Sequence, residues 1–474
     1  MTTSPPSVAV PVHTDRSRWI ALAAVCFGMM LTFLNTTATI ASVPAIGSDL
    51  NADAATTVWI PSMFVLVVAS LVLSAGTLGD VIGRRVSFVG GAATMAVGSF
   101  ATFLAHTSAW FLAAQAVTGI GAALVLPNSL TIISSSFADP RERTEAISIW
   151  AASSGLGLAI GPLSAGAVID SFSWNAVFLV NAVAALVVAL VSPAVVPSST
   201  LPGARLDLPG LITATTAIAA LTFWVIDGSH NGFRSPRTVI SMIVFVCALS
   251  LFVTIERSVR APMLHLDLFR SRSFSAVMLV STTALFGFTG LSLISVLYFE
   301  RVGGLSAWTT GLHLLALMMT YVVVSAIAPR LHQRTGFKFM LTGGLVITAA
   351  GALLLGRVQP HEGWATMTTA FVVLGLGIGT LIAPATAAAM NSVTPAEHGM
   401  ASGTLNLFRQ LGSVLGTSVM GSILTAQLST ALPTQPADTA FTSAFHTCAV
   451  VAAAVFIVVA IPTAFLVPGK AGHH

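Results

Sequence analysis

Charge is what this chain has least of. Asp, Glu, Lys and Arg together make up 8% of its 474 residues, while hydrophobic types make up 55%. A soluble domain carries roughly a quarter charged residues. The scarcity therefore excludes a water-dissolved globule of this length and points to lipid as the solvent. Lysine is nearly absent, with Lys338 and Lys470 set against eighteen arginines; together with abundant alanine, this points to a GC-rich bacterial gene. The net charge of +4 calls for a topological explanation and not a nucleic-acid partner. Cysteine is limited to Cys26, Cys247 and Cys448, all inside apolar runs far apart in sequence. That spacing excludes a disulfide framework and predicts buried thiols. A cleavable secretory leader is lacking too, because the first apolar run starts at Trp19 and continues past twenty residues. Residues 1–18, with Pro5, Pro6 and Pro11, read as a disordered cytoplasmic tail, and 468–474 as a second tail.

A spanning helix needs about 20 mainly apolar residues. Fourteen such runs follow one another, the first at 19–43 and the last at 446–467. The predicted fold class is therefore an all-α membrane protein with 14 transmembrane helices. With the N-terminus inside, Arg16, Arg18, Arg84, Arg85, Arg141, Arg143, Arg205, Arg257, Arg260, Arg270, Arg272, Arg330, Arg334, Lys338 and Lys470 fall in the cytoplasm. Only Arg234, Arg237, Arg301 and Arg357 then lie outside. That asymmetry obeys the positive-inside rule and puts both termini in the cytoplasm, across a bacterial cytoplasmic membrane. Trp59, Trp110, Trp174, Trp308 and Trp364 fall at outer helix ends and Trp19 at an inner one, which predicts interfacial anchors.

The chain repeats itself. "ADPRERTEAISIWAASSGLGLAIGPLSAG", Ala138 to Gly166, lines up with "VTPAEHGMASGTLNLFRQLGSVLGTSVMG", Val393 to Gly421, at a constant offset of 255. Pro140 then meets Pro395, Gly157 meets Gly412, Gly161 meets Gly416 and Gly166 meets Gly421. A fainter echo at an offset of 253 links "GTLGDVIGRR", Gly76 to Arg85, with "PRLHQRTGFK", Pro329 to Lys338. These matches predict two six-helix halves, 19–195 and 274–467, related as parallel repeats. The segment 196–273 between them holds two further apolar runs, enough for an inserted helical hairpin with flanking cytoplasmic loops.

At "GTLGDVIGRR" the chain resembles the major facilitator superfamily, whose loop between helices 2 and 3 carries this Gly, Asp, Gly, Arg, Arg order. "GLGLAIGPLSAG", Gly155 to Gly166, resembles the helix 5 signature of its antiporter branch. The two extra helices, "LFRSRSF" and "FRQLG" resemble the fourteen-helix drug:proton antiporters, the multidrug and antibiotic efflux transporters. The resemblance implies that Gly76, Asp80, Gly83, Arg84 and Arg85 form a conformational latch, with Asp80 facing the positive N-terminal end of helix 13. It also implies that Gly157, Gly161, Pro162 and Gly166 form an antiporter-like motif. The chain departs from the pattern at Ala165, where a second glycine is usual, and at Gln333, where the C-terminal turn lacks the acid. For the latch residues the alternative is a solvated charged turn, and ordinary close helix packing explains the helix 5 glycines equally well.

Relatives in that branch resemble one another in carrying an acid in helix 1 and an arginine in helix 4. Here those positions hold Asn35 and Gln115. Both amides can hydrogen-bond, and neither can carry a proton. They are candidates for lining a substrate cavity without titrating; the alternative is that each satisfies a buried neighbour. Arg409 falls roughly 14 Å into helix 13, near the midplane, where an ionised side chain faces a cavity or a partner. It is a candidate anion-binding residue, or a structural one bonded to carbonyls or amides. The candidate proton-coupling residues are Glu300, at an outer helix end, and His313, about two turns into helix 10. Asp227 reads as an interfacial charge, and Glu397 with His398 as a solvated loop.

No GxxxxGK[ST] phosphate loop occurs, so the sequence offers no ATP site, and no His, Cys or acid cluster has metal-ligand spacing. The reading is a non-enzymatic carrier, without cofactor or metal, that exports a small organic molecule such as a drug, antibiotic or metabolite. It works by alternating access as a monomer in the bilayer, with proton antiport as the expected coupling. Potential-driven export of an organic anion is one alternative. A transport-dead membrane sensor is the alternative from another class.

Overall fold

The computed structural model describes residues 15–52, 54–137, 139–197, 207–259, 264, 266–359, 364–394, 397–431 and 435–467. Residues 1–14 and 468–474 of the expected tails, Arg205, Arg260, Lys470 and the Gln333 side chain lie outside that description. Fourteen α-helices follow in order: α1 Asp15–Asp49, α2 Ala54–Ile82, α3 Arg84–Phe103, α4 Ser108–Ser136, α5 Pro140–Ser171, α6 Trp174–Val195 and α7 Leu208–Asn231. The remainder are α8 Pro236–Ser258, α9 Arg272–Arg301, α10 Ala307–Thr335, α11 Phe337–Leu355, α12 Trp364–Asn391, α13 His398–Ala431 and α14 Ala437–Leu466. Each contains a stretch long and apolar enough to cross a bilayer, and no strand occurs among the described residues. The expected all-α class with fourteen spans is the one found. Residues 15–18, expected in a disordered tail, already belong to α1.

The surface carries the solvent's signature. Leu190, Val458, Phe339 and Phe465 are among the most exposed side chains, while Thr102, Gln115, Ser129 and Arg409 are buried. Apolar side chains outside and hydroxyls and amides inside are what lipid selects, because hydrocarbon offers buried polar groups no partner but the protein.

α1 to α6 pack mainly on one another, as do α9 to α14. The two groups meet along two seams, α2 against α13 and α5 against α10. The hairpin α7–α8 lies along the first seam, with α7 touching both α2 and α13. The Ser74 and Thr215 hydroxyls meet there at 3.1 Å, while α8 exposes Ile240, Ile243 and Val246.

The repeated glycines act in pairs at equivalent crossings. A methyl group at Gly157 would overlap the Met30 carbonyl oxygen and one at Gly161 the Thr37 hydroxyl, so α5 runs tight against α1. Gly412 and Gly416 likewise leave room for the Thr282 and Phe286 carbonyls, so α13 runs tight against α9. The fainter repeat also has a backbone cause. Gly83 at φ 104° and Gly336 at φ 79° make the turns before α3 and α11, a conformation that a Cβ disfavours.

Three side chains depart from the sequence expectation. Trp174 is 4% exposed and not an interfacial anchor: its ring packs edge-on to Phe111 and Phe178, and its Nε1 donates to Asp49 at 2.9 Å. Asp227, expected as an interfacial charge, stands near the end of α7 but is buried there at 3% exposure. Cys247 is exposed on the outer face of α8, whereas Cys26 and Cys448 are buried; all three thiols are free. Of the Glu397–His398 pair, expected in a solvated loop, Glu397 stays partly exposed and His398 departs. His398 opens α13 and is buried, and the Glu397 carboxylate accepts from the Thr394 backbone N–H at 2.9 Å.

Candidate functional site

A cavity of about 210 Å³ lies between the two helix groups. Thr36 and Ile40 of α1, Ser62 and Val65 of α2, Leu293 and Leu297 of α9, and Ser413, Thr417 and Gly421 of α13 form its wall, and α7 contributes Ile226. By residue position these lie towards the end of the molecule that carries Trp174. No charged side chain lines the cavity, and its polar groups are hydroxyls. Gly421 has no atom near enough to touch an added methyl group, so it opens onto this space.

Asn35 and Gln115, the candidates for the cavity wall, are brought together instead. The Asn35 amide Nδ2 donates to Gln115 Oε1 at 3.3 Å. Gln115 Nε2 donates to Thr102 Oγ1 at 3.4 Å, and Asn181 Nδ2 donates to Asn35 Oδ1 at 3.5 Å. Asn35, Gln115 and Thr102 are each at most 1% exposed. The network ties α1, α3, α4 and α6 together, and its members do not line the cavity. The geometry is that of the second sequence reading, in which each amide satisfies a buried neighbour.

Arg409 sits one helical turn from the cavity residue Ser413, also buried. Its Nη2 donates to the Ile382 carbonyl at 3.1 Å and to the Thr386 hydroxyl, both on α12. The guanidinium carbon lies 5.7 Å from the ring centroid of Trp150 on α5, a cation–π contact across the two helix groups. Trp150 is fixed in turn by its Nε1 donating to Ser129 at 2.9 Å. Beside it, the Tyr321 hydroxyl of α10 donates to the Ala151 carbonyl at 2.9 Å. Sequence reading missed Trp150, Tyr321, Thr386 and Asn181. The available signal was depth, since Trp150 lies about 15 Å along α5, far from any interface where tryptophan is usual.

At the opposite end the two helix groups touch. Asp80 Oδ1 accepts from Arg84 Nε and Nη2, each at 3.1 Å. Its carboxylate also abuts Gly399 in the first turn of α13, where an added methyl group would overlap it. A methyl group on Gly76 would come within 2.8 Å of the Gly399 carbonyl, so glycines allow α2 and α13 to touch. A carboxylate against the N-terminal turn of a helix meets unpaired N–H groups and the positive end of the dipole. Arg85 takes no part in this pairing and donates to the Pro193 carbonyl at 3.3 Å. Ser402 of α13 adds a bond to the Pro127 carbonyl of α4 at 2.9 Å. Next to this end, Asp139 caps α5, and the N–H groups of Glu142 and Arg141 hold its carboxyl below the usual range.

Gly166 is buried on α5, and Pro162 lines a narrow apolar gap with Phe288 and Met318. Glu300 is half-buried at the end of α9. His313 is buried against the Phe299 ring, with centroids 4.6 Å apart. Neither lines the cavity.

The comparisons agree with this architecture. The family model for the Major Facilitator Superfamily matches residues 25–417 and 277–472. Multidrug resistance protein Stp of Mycobacterium tuberculosis (strain CDC 1551 / Oshkosh) is 30% identical over 419 residues, covering 88% of this chain and 78% of that protein. Multidrug efflux pump LfrA of Mycolicibacterium smegmatis is 30% identical over 416 residues, covering 87% and 82%. The crystal structure of the human organic anion transporter MFSD10 (TETRAN) superposes with a TM-score of 0.68 at 15% identity, over 95% of this chain and all of that one; at that identity the likeness speaks for fold alone. Fourteen spans, paired glycine crossings and a closed Asp80 turn therefore meet a family match over most of the sequence: the chain belongs to the Major Facilitator Superfamily, among transporters with multidrug and antibiotic efflux relatives.

Proposed function

We propose that this chain is a secondary active exporter of small organic molecules that works by alternating access, as a monomer in the bacterial cytoplasmic membrane with both termini inside. The Asp80 end is then cytoplasmic, and the structure corresponds to a state closed towards the cytoplasm. The observation that carries the reading is the pairing of a cavity between two helix groups with the contact of Asp80 and Gly76 on Gly399 below it. The same two groups, 19–195 and 274–467, would rock about the cavity, with α7 as an added wall. The efflux names of its relatives support export.

For coupling, the neutral cavity wall and the closed amide network favour the membrane potential over a proton relay. An inside-negative potential expels anions at about 2.3 kcal/mol per charge per 100 mV, without any titrating side chain. Proton antiport through Glu300 or His313 would have to act from outside the cavity wall. The test is transport in inside-out vesicles of anionic, neutral and cationic compounds. Accumulation of any of them separates a carrier from a sensor.

A further inference from the structure

Arg409 is an ionised side chain near mid-depth that has no carboxylate. Among the described residues no ion pair reaches it, its exposure is 2%, and its Nε has no hydrogen-bond acceptor. Carbonyl and hydroxyl partners on α12 need no cation, and a buried charge without a counter-charge is costly. A guanidinium fork also matches a carboxylate or sulfonate with two parallel bonds, and here the fork is only partly used.

The surroundings of Arg409 have a direction. A notch of about 10 Å³, room for roughly one water, opens between α5, α10 and α12 on the Asp80 side and is lined by Ser148, Ala328, His332, Pro384 and Ala387. Two of these helices also hold the Arg409 contacts, Ile382 and Thr386 on α12 and Trp150 on α5. Burial holds the His332 imidazole below its ordinary pKa, so at neutral pH it adds no charge to the notch. On the other side of Arg409 the large cavity presents only apolar and hydroxyl groups. The lining of neither space carries a permanently charged side chain.

Trp150 belongs to α5 and Arg409 to α13, in opposite helix groups. Separation of the helix groups at the Asp80 end would carry the Trp150 ring away and leave the guanidinium facing the widened notch. We propose that Arg409 is the counter-charge of a cytoplasmic-side capture site for an amphiphilic organic anion, shuttered by Trp150 in the closed state and emptied into the uncharged outer cavity. Capture and release are then tied to the two states, while the membrane potential sets the net direction: the anion meets its partner when the inner side is open and loses it when Trp150 returns. This rests on the exporter reading above and assigns its substrate class and point of entry.

The test uses the full chain in lipid nanodiscs and two probes of one ring system, 2-naphthalenesulfonate and the neutral 2-naphthalenesulfonamide, with binding followed by equilibrium dialysis. The sulfonate should bind at least tenfold tighter. Arg409→Gln should erase the preference and leave sulfonamide binding unchanged, which also reports that the variant is folded, while Arg409→Lys should keep part of it. Should Arg409→Gln fail to fold, Trp150→Leu serves instead: removing the shutter should tighten the sulfonate severalfold and not the sulfonamide. Equal affinity of the two probes in the unmodified chain overturns the proposal, as does a preference that survives Arg409→Gln. A chain that accumulates compounds in vesicles yet binds both probes equally keeps the exporter reading and loses this one. Selective sulfonate binding with no transport of any compound does the reverse.

Discussion

The Asn35 amide donates to the Gln115 side-chain oxygen across 3.3 Å, at exposures of 1% and 0%. Where the branch this chain resembles carries an acid and a base, two neutral amides close on each other and extend the network to Asn181 and Thr102. A buried network of this kind fixes helix rotation when fully satisfied and becomes a liability when a member is lost.

Gln115→Leu should therefore destabilise the protein. It strands the Asn35 amide in a dry interior, and an unsatisfied buried group costs about 1–3 kcal/mol. Thermal unfolding in detergent should move to lower temperature, and an unchanged midpoint would show that the network carries no stability.

Asp80→Asn removes the charge that meets the first turn of α13 and the partner of Arg84. The expected effect is slower transport turnover with little change in substrate affinity, because the cavity lies at the other end. A variant that turns over at the normal rate would exclude the latch.

The glycines predict opposite outcomes at two positions. Gly161→Val forces side-chain atoms into Thr37 and the Leu34 backbone, an overpacking expected to cost about 1–3 kcal/mol. Gly421→Ala adds a methyl group to open cavity, so the fold should hold, and any effect should appear in substrate affinity. Comparing expression and unfolding temperature of the two variants checks this, and equal damage would contradict the helix crossing described.

Glu300 and His313 lie off the cavity wall. Under the potential-driven reading, Glu300→Gln and His313→Gln should leave the voltage dependence of transport intact. A loss of coupling in either variant, with substrate binding retained, would return the proton to the mechanism.

Much of this was legible in the sequence. Run length and arginine placement specify how many helices cross, because a bilayer sets one length and one charge asymmetry. The two glycine repeats mark the α1–α5 and α9–α13 crossings, because backbone contact demands the same small residues in both copies. What the sequence leaves open is rotation about each helix axis. Trp174 and Asp227 do stand near helix ends, yet both turn inward, since position along the axis does not decide which face meets lipid. Asn35 and Gln115 are similar in this respect: depth suggested a cavity, while their bond depends on how α1 and α4 face each other. Trp150 is legible as Arg409's partner only once the two helix groups have come together, because the two residues belong to different groups.

The most direct test of the account is transport into inside-out vesicles under an imposed lumen-positive potential, with a panel of anionic, neutral and cationic organic compounds and a lumenal pH dye. The account predicts that amphiphilic anions accumulate to a ratio whose logarithm rises linearly with the potential, without any accompanying proton movement. Proton release from the lumen that rises with substrate and persists at zero potential would contradict it.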